Sequence, residues 1–343
     1  MTAAALAPDD WPVLVTGAGG FVGGHVARGF AAAGHRVVGL ARKPPKAEPG
    51  DPPIEWVVGD LRDEAVRRRA LRGVRGAVHA AGWVSLGPDP RGEAVAVNVE
   101  ATRRLLEDAA RAGVERFVYT STLHTLAAGT AAQPADEDAP WNLHAVDSPY
   151  ARTKREAERI VRDGVGPTAG VVICPGMVVG PRDRKPTSTR VLLMMAAARS
   201  VFLPGGGIPL VDAGVVAQAH RAAMATGEPG GRYAVVGPYL SYREMAELVA
   251  RVAGRPRWIG RVPDAFERPL VGFARVAGRA WPTDWFSTAS VAGGFLRLHV
   301  DGRRADRAFG LVHPPAVRSI YEALEDARRS GLAPRLRLRE PSA

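Results

Sequence analysis

Cysteine is all but missing from this chain: Cys174 is the only one among 343 residues. A single thiol excludes an intrachain disulfide framework and fits a reducing cytoplasm. Its neighbours Val171, Val172 and Ile173 predict that it is buried. Long apolar runs are missing as well. The longest helix-like one, 191–198, is far too short to span a bilayer. The opening residues up to Trp11 carry neither a basic flank nor a long apolar stretch, so they do not read as a signal peptide. The expected location is therefore the cytoplasm. The eight histidines are scattered, with no pair at helical metal-ligand spacing beside an acid, and no metal is expected.

A clustered basic stripe is also absent. The net charge is +11 and the basic side chains are nearly all arginine, but they are spread over the whole chain. Many stand beside glutamates, as in Arg103, Arg104 and Glu107 or Arg155, Glu156, Glu158 and Arg159. That pattern argues against nucleic acid as a partner and reads as solvated helix faces. The excess charge can still attract a phosphorylated cofactor or an anionic substrate. With 46% hydrophobic and 24% charged residues, the composition is that of a globular chain with one large core or two smaller ones.

What is present is alternation of short strands and helices. Strands are expected at 12–16, 36–41, 54–58, 76–80, 116–120 and 168–174, with helices up to 33 and at 62–71, 93–112 and from 149. This order predicts an α/β doubly wound parallel sheet. Beyond Pro175 the pattern loosens. Helices are expected at 188–199, 214–226, 241–253, 264–278, 303–309 and 314–329, with short strands near 201–203 and 232–236. The expected organisation is a nucleotide-binding unit over 1–175, receiving part of 213–240, then a smaller and mostly helical substrate unit over 176–330, and a tail over 331–343.

Between the first strand and first helix stand Gly17, Gly20 and Gly23. Glycines there let the backbone turn tightly and approach a pyrophosphate seated on the helix N-terminus. The second strand ends in Ala41-Arg42-Lys43 with no acid. An acid at that place would hold a ribose 2′-hydroxyl, whereas an arginine accommodates a 2′-phosphate. NADP(H) is therefore the expected cofactor, with Arg42 as its main contact and NAD(H) the other option. Further along, Tyr150 and Lys154 lie four residues apart, one helical turn on one face. A cation near a phenol favours the phenolate, so the pair suggests proton transfer coupled to hydride transfer.

These pieces resemble the extended short-chain dehydrogenases/reductases, the NAD-dependent epimerase/dehydratase superfamily. The matching strings are 16–23, Gly59-Asp60-Leu61, His79-Ala80-Ala81, 98–102, Tyr119-Thr120-Ser121-Thr122 and 150–154. Within that superfamily the stretches 180–187 and 301–311 are similar to ones in the dihydroflavonol reductase-like and hopanoid-associated sugar epimerase-like groups. The resemblance implies a Rossmann sheet with Phe21, Val22 and Leu61 beside the cofactor and Asp60 accepting from the adenine amino group. Ala80 and Ala81 would line the cofactor with backbone, and Pro175, Gly176 and Val178 would pack near the nicotinamide. Lys154 would hold the nicotinamide ribose, and Tyr150 would be the general acid in reduction or the base in oxidation. The hydroxyl that polarises the carbonyl would be Thr122 or Ser121. A homodimer through helices 93–112 and 149–162 is also implied.

Two departures matter. Relatives often carry a His-Val-Asp-Asp-Val segment where this chain has Asp212-Ala213-Gly214-Val215, without the aspartate pair. Nucleotide-sugar enzymes tend to carry an asparagine just after the sixth strand, where this chain has Cys174-Pro175-Gly176-Met177. The reading is thus an NADP(H)-dependent oxidoreductase interconverting a ketone or aldehyde and an alcohol on a hydrophobic small molecule. The first alternative is an NAD-dependent nucleotide-sugar epimerase or dehydratase, and the second is a non-catalytic dinucleotide sensor. Asp136-Glu137-Asp138 reads as a solvated turn, and His124 near Thr122 as a surface or packing residue, with substrate contact the alternative. Trp83, Met177, Met194, Met195, Phe202, Trp281, Trp285 and Phe286 read as core, and the apolar stretch 266–295 as a lid over a bulky substrate.

Overall fold

The computed structural model describes residues 11–165, 168–186, 188–280 and 287–341. Seven parallel strands form the central sheet in the order β10-β6-β5-β4-β1-β2-β3. They are β1 (Val13–Thr16), β2 (Val37–Ala41), β3 (Glu55–Val58), β4 (Gly76–His79), β5 (Arg116–Thr120), β6 (Ala169–Pro175) and β10 (Arg232–Val235). The order reverses between β1 and β4, which opens a crevice at the carboxyl ends of the strands.

Alternate residues of each strand point to opposite faces, and both faces are buried. One face presents Leu14, Val38, Leu40, Phe117, Tyr119 and Val172 to a core shared with α2 (Glu64–Ala70), α3 (Ala101–Arg111) and α4 (Pro149–Asp163). The other presents Val13, Val15, Val37, Val78, Val118 and Ile173 to α1 (Phe21–Ala32), α6 (Ala213–Thr226) and α10 (Arg303–Phe309). A third core lies in the carboxyl-terminal part, between α5 (Ser188–Ala197), α7 (Tyr242–Ala253) and α11 (Ala316–Arg329). Leu336 and Leu338 of the expected tail pack against it.

Four strands are absent from the sequence reading: β7 (Met177–Val179), β9 (Gly207–Asp212), β11 (Tyr239–Ser241) and β12 (Trp258–Arg261). The first three form one small sheet, and β12 pairs with β8 (Ser200–Leu203). All are short, and Pro209 disguises the strand that holds the small sheet together. Helix α9 (Thr288–Phe295) was likewise not expected, since Gly293 and Gly294 weaken its signal. The helix expected over 93–112 widens into a π-helical segment at Val95–Glu100 before α3.

Met177 and Met195 are in the core as expected, Trp83 is half-buried, and Met194 and Phe202 are exposed. Within the expected lid stretch, α8 (Glu267–Ala280) turns Phe273 and Val276 to solvent, with Phe266 exposed just before it. Trp281, Trp285 and Phe286 lie outside the described residues. Where the aspartate pair is missing, Asp212 caps α6 by accepting from the Gly214 N–H at 2.7 Å and accepts from the Ser319 hydroxyl at 2.7 Å.

Candidate active site

The expected site residues that follow parallel strands gather at one edge of the sheet, beyond the strands' carboxyl ends. Gly17 follows β1, Arg42 β2, Asp60 β3, Ala80 and Ala81 β4, Ser121 and Thr122 β5, and Gly176 β6. Gly17 has a φ of +68°, and a Cβ there would sit 2.7 Å from the Ala81 nitrogen. A Cβ on Gly23 would lie 2.3 Å from the Gly17 oxygen. Neither position admits a side chain without moving backbone. Gly20 precedes α1, whose first-turn amides are left for a ligand, and Phe21 and Val22 form that turn. The cradle fits a dinucleotide pyrophosphate.

A buried hydrogen-bond chain braces this turn. The Ala81 N–H donates to Thr16 Oγ1 at 3.2 Å, and Thr16 Oγ1 meets His79 Nδ1 at 2.7 Å. His79 Nε2 meets Thr102 Oγ1 at 2.8 Å, and that hydroxyl donates to the Asn98 carbonyl at 2.6 Å. Since Thr102 spends its proton on Asn98, His79 carries its own on Nε2 and accepts from Thr16. Burial lowers its pKa to about 3, which keeps the ring neutral. From the π-helical segment Asn98 also brackets Trp83, accepting from its N–H at 2.8 Å and donating to its carbonyl at 3.0 Å. Asn98 Nδ2 donates to Thr153 Oγ1 at 3.1 Å, which ties the cofactor-side loop to α4.

Arg42 is exposed and has no hydrogen-bond or ion-pair partner among the described residues. Asp60 is engaged by Arg62, at 2.9 Å from its N–H, 3.0 Å from Nε and 2.7 Å from the terminal nitrogen. Those bonds hold the Asp60 carboxyl down at about 2. They fill one carboxylate oxygen and leave an acceptor site on the other. Leu61 is buried in the core rather than open to the crevice.

Ser148 caps α4 and Pro149 starts it, which sets Tyr150 and Lys154 one turn apart against β5. Tyr150 is 8% exposed. Burial pushes its phenol up to about 12, and the polar Thr122 side chain pulls partly against that. The lowered phenol expected from the sequence is not found in this state. The ammonium of Lys154 instead donates to the Thr120 carbonyl at 2.6 Å and lies 4.3 Å from the Tyr119 ring centre. Burial lowers Lys154 to about 8, with Glu158 opposing the shift. His124 closes the group: its Nδ1 is 3.3 Å from Thr122 Oγ1 and its ring is edge-on to Tyr150.

Ser121 and Thr122 separate here. The Ser121 hydroxyl donates to Glu158, not toward Tyr150, and Thr125 donates to the same carboxylate oxygen. Glu158 is 4% exposed, pairs with Arg232 at 3.0 Å, and accepts from Cys174 Sγ at 3.4 Å. The solvated reading of Glu158 is thus corrected. Tyr150, Lys154 and Glu158 follow one helical stripe at successive four-residue steps, a signal the sequence did contain. Glu137 is corrected too: it is 3% exposed and accepts from the Ala234 N–H at 2.8 Å.

At the end of β6, Pro175 is in register with Val235, and a Cβ on Gly176 would lie 2.6 Å from the Pro209 oxygen. Val178 is buried in the core on the α1 and α6 side. No group of three or more His, Cys, Asp or Glu able to hold a metal occurs among the described residues. No described helix is long and apolar enough to cross a membrane.

Residues 13–236 match the NAD dependent epimerase/dehydratase family. The chain is 33% identical to sterol demethylase protein B of Methylococcus capsulatus over 90% of this chain and 95% of that one. It is 30% identical to a putative dihydroflavonol 4-reductase of Synechocystis over 73% of this chain and 75% of that one. The crystal structure of gox2253 superposes with a TM-score of 0.78 at 28% identity, covering 94% of this chain and 99% of that one. This chain belongs to the NAD dependent epimerase/dehydratase family and is an enzyme of the short-chain dehydrogenase/reductase type.

Proposed function

We propose that this enzyme is an NADP(H)-dependent oxidoreductase that interconverts a ketone or aldehyde and an alcohol on a hydrophobic small molecule. The observation that carries the reading is the burial of Tyr150 and Lys154 one helical turn apart on α4, with His124 packed edge-on to Tyr150 and hydrogen-bonded to Thr122. Residues 1–175 with part of 213–240 form the cofactor unit in this reading, and 176–330 the substrate unit. The backbone at Gly17, Gly20, Gly23, Ala80 and Ala81 receives the dinucleotide. Arg42 takes the 2′-phosphate and Asp60 the adenine amino group.

The nicotinamide supplies or takes the hydride. Thr122 and Tyr150 bind the substrate oxygen from two sides, and Tyr150 gives its proton as negative charge develops there. In the present state burial keeps the phenol protonated at neutral pH, and the Lys154 ammonium brought nearer would lower it toward the acid role. Lys154, freed from the Thr120 carbonyl, would turn to the nicotinamide ribose. The missing asparagine after β6 speaks against a nucleotide-sugar substrate. The homodimer implied by the resemblance would use the outer faces of α3 and α4.

Tyr150→Phe tests the reading. Hydride transfer to a screened hydrophobic ketone should fall by roughly 10²–10⁴-fold while NADPH still binds. Full activity of the variant would refute it.

A further inference from the structure

Lys154 and Glu158 stand four residues apart on one stripe of α4, a spacing at which lysine and glutamate ordinarily pair. Among the described residues they make no ion pair with each other. Lys154 gives its ammonium to the Thr120 carbonyl and the Tyr119 ring. Glu158 is taken instead by Arg232, the first residue of β10 at the edge of the sheet.

The Arg232 guanidinium has two kinds of contact. Its terminal nitrogens donate to the Thr125 carbonyl at 2.5 Å and the Glu137 carbonyl at 2.9 Å, which braces the turn that begins at Thr122. Its Nε lies 3.0 Å from Glu158, but that N–H is aligned with no acceptor among the described residues. The attraction there is one of charge rather than of a directed bond. Both partners are enclosed, with side chains 12% and 6% exposed. Without Arg232 the carboxylate would be left inside and uncompensated, and it would draw a nearby cation. Lys154 is the buried cation one turn away, and Glu158 already favours its charged form. Arg162, one turn in the other direction, is exposed and donates to the Gly230 carbonyl.

The other titratable groups around Lys154 are Tyr150 on its own helix, Tyr119 on β5, His79 on β4 and Cys174 on β6. Burial keeps all four neutral near pH ~7: it lowers His79 to about 3, raises Tyr150 to about 12, and pushes the Tyr119 phenol and the Cys174 thiol up. The Glu158–Arg232 pair therefore sets the field in which the ammonium sits.

We infer that Arg232 is a positioning residue: by neutralising Glu158 it keeps that carboxylate from capturing Lys154 and leaves the ammonium free to move from the Thr120 carbonyl to the nicotinamide ribose. The inference rests on the placement of Lys154 proposed above, and on neither the substrate nor the choice between NADPH and NADH.

Titration of the full chain with each dinucleotide over a series of pH values tests it. Arg232→Gln should weaken both by roughly tenfold, the scale of one charge-assisted bond to the ribose. It should also move the alkaline loss of affinity to higher pH, because the released carboxylate favours the charged ammonium. General loosening of the site would not produce a shift of that sign. Adding Glu158→Gln to Arg232→Gln should recover affinity by about threefold or more, since no carboxylate remains to hold Lys154. Arg232→Lys keeps the charge and loses the fork, so it should melt earlier yet bind both dinucleotides within about threefold of the parent. Melting temperature checks folding, and Arg232→Lys decides the matter if Arg232→Gln does not fold. A folded Arg232→Lys that loses tenfold would make bracing the function and overturn the inference. So would a folded Arg232→Gln that binds as the parent does, or a double variant that binds no better than Arg232→Gln. Lys154→Met separates the inference from the reading beneath it. Unchanged affinity there would remove Lys154 from the ribose and the inference with it, whereas a loss that Arg232→Gln does not share refutes the role of Arg232 alone.

Discussion

The Ser121 hydroxyl donates to Glu158, while the next residue, Thr122, sets its hydroxyl 3.3 Å from Nδ1 of His124, whose ring packs on Tyr150. Neighbouring residues at the end of a strand point to opposite faces of the sheet, so one of the two serves the floor beneath α4 and the other the crevice. Thr122→Val should therefore lower kcat by roughly 10²–10³-fold with little change in stability. Ser121→Ala should cost about 1–2 kcal/mol of stability and leave kcat within roughly tenfold. Steady-state kinetics with urea unfolding of both variants checks this, and a reversed pattern would exchange the two roles.

Glu158→Gln removes a charge from a buried pair. Arg232, with a side chain 12% exposed, would lose its carboxylate partner. A cost of about 3–5 kcal/mol is expected in urea unfolding, because an unpaired charge would be left inside. Glu158 also supports the charge on Lys154. In the variant the alkaline change in cofactor affinity should move to a pH lower than in the parent. An unchanged unfolding free energy would place solvent at this pair.

Much of this was legible in the sequence, and the exceptions have physical reasons. The six amino-terminal strands stood out because strands buried on both faces read as apolar runs between glycines and turns. The strands β7, β9, β11 and β12 did not, since each is three to six residues long and is defined by a distant partner. Gly17, Tyr150 and Lys154 could be placed from spacing alone. The division of labour between Ser121 and Thr122 could not, because alternation fixes relative and not absolute facing. Glu158 was hidden by its neighbours: beside Arg155, Glu156 and Arg159 it looks like surface charge, and only the fold shows it inward. Phe273 and Val276 were misread in the opposite sense, as apolar residues of a lid that the fold turns outward.

Arg42 should discriminate between the two dinucleotides. Removing it in Arg42→Ala should weaken NADPH by roughly 10–100-fold, the scale of a charge-assisted bond to phosphate. NADH should change by less than about threefold, as it carries no 2′-phosphate. Parallel titrations followed by nicotinamide fluorescence measure both constants, and equal losses for the two cofactors would remove Arg42 from this role.

Acid should unfold the protein through its histidines. Burial lowers His79 to about 3 and His124 and His220 to about 4. The unfolded chain binds their protons near pH ~6.5, so between that pH and the folded values it holds more protons than the native state. Stability is then complete above 6.5 and is lost as pH falls toward 4. The loss is about 2 kcal/mol per histidine by pH ~5. Urea unfolding at a series of pH values reads this directly, and a flat profile from 6.5 to 5 would mean that these rings are hydrated.

Whether the enzyme is an NADP(H) oxidoreductase or one that recycles a captive NAD(H) is decided by the nucleotide itself. The freshly purified protein is denatured, the supernatant is identified by mass spectrometry, and the emptied protein is titrated with NADPH and NADH. Little bound nucleotide is expected, with NADPH binding at least tenfold tighter than NADH, the scale of one phosphate–arginine contact. Stoichiometric NAD(H) released from the protein, with no preference for NADPH, would contradict it and favour an epimerase or dehydratase.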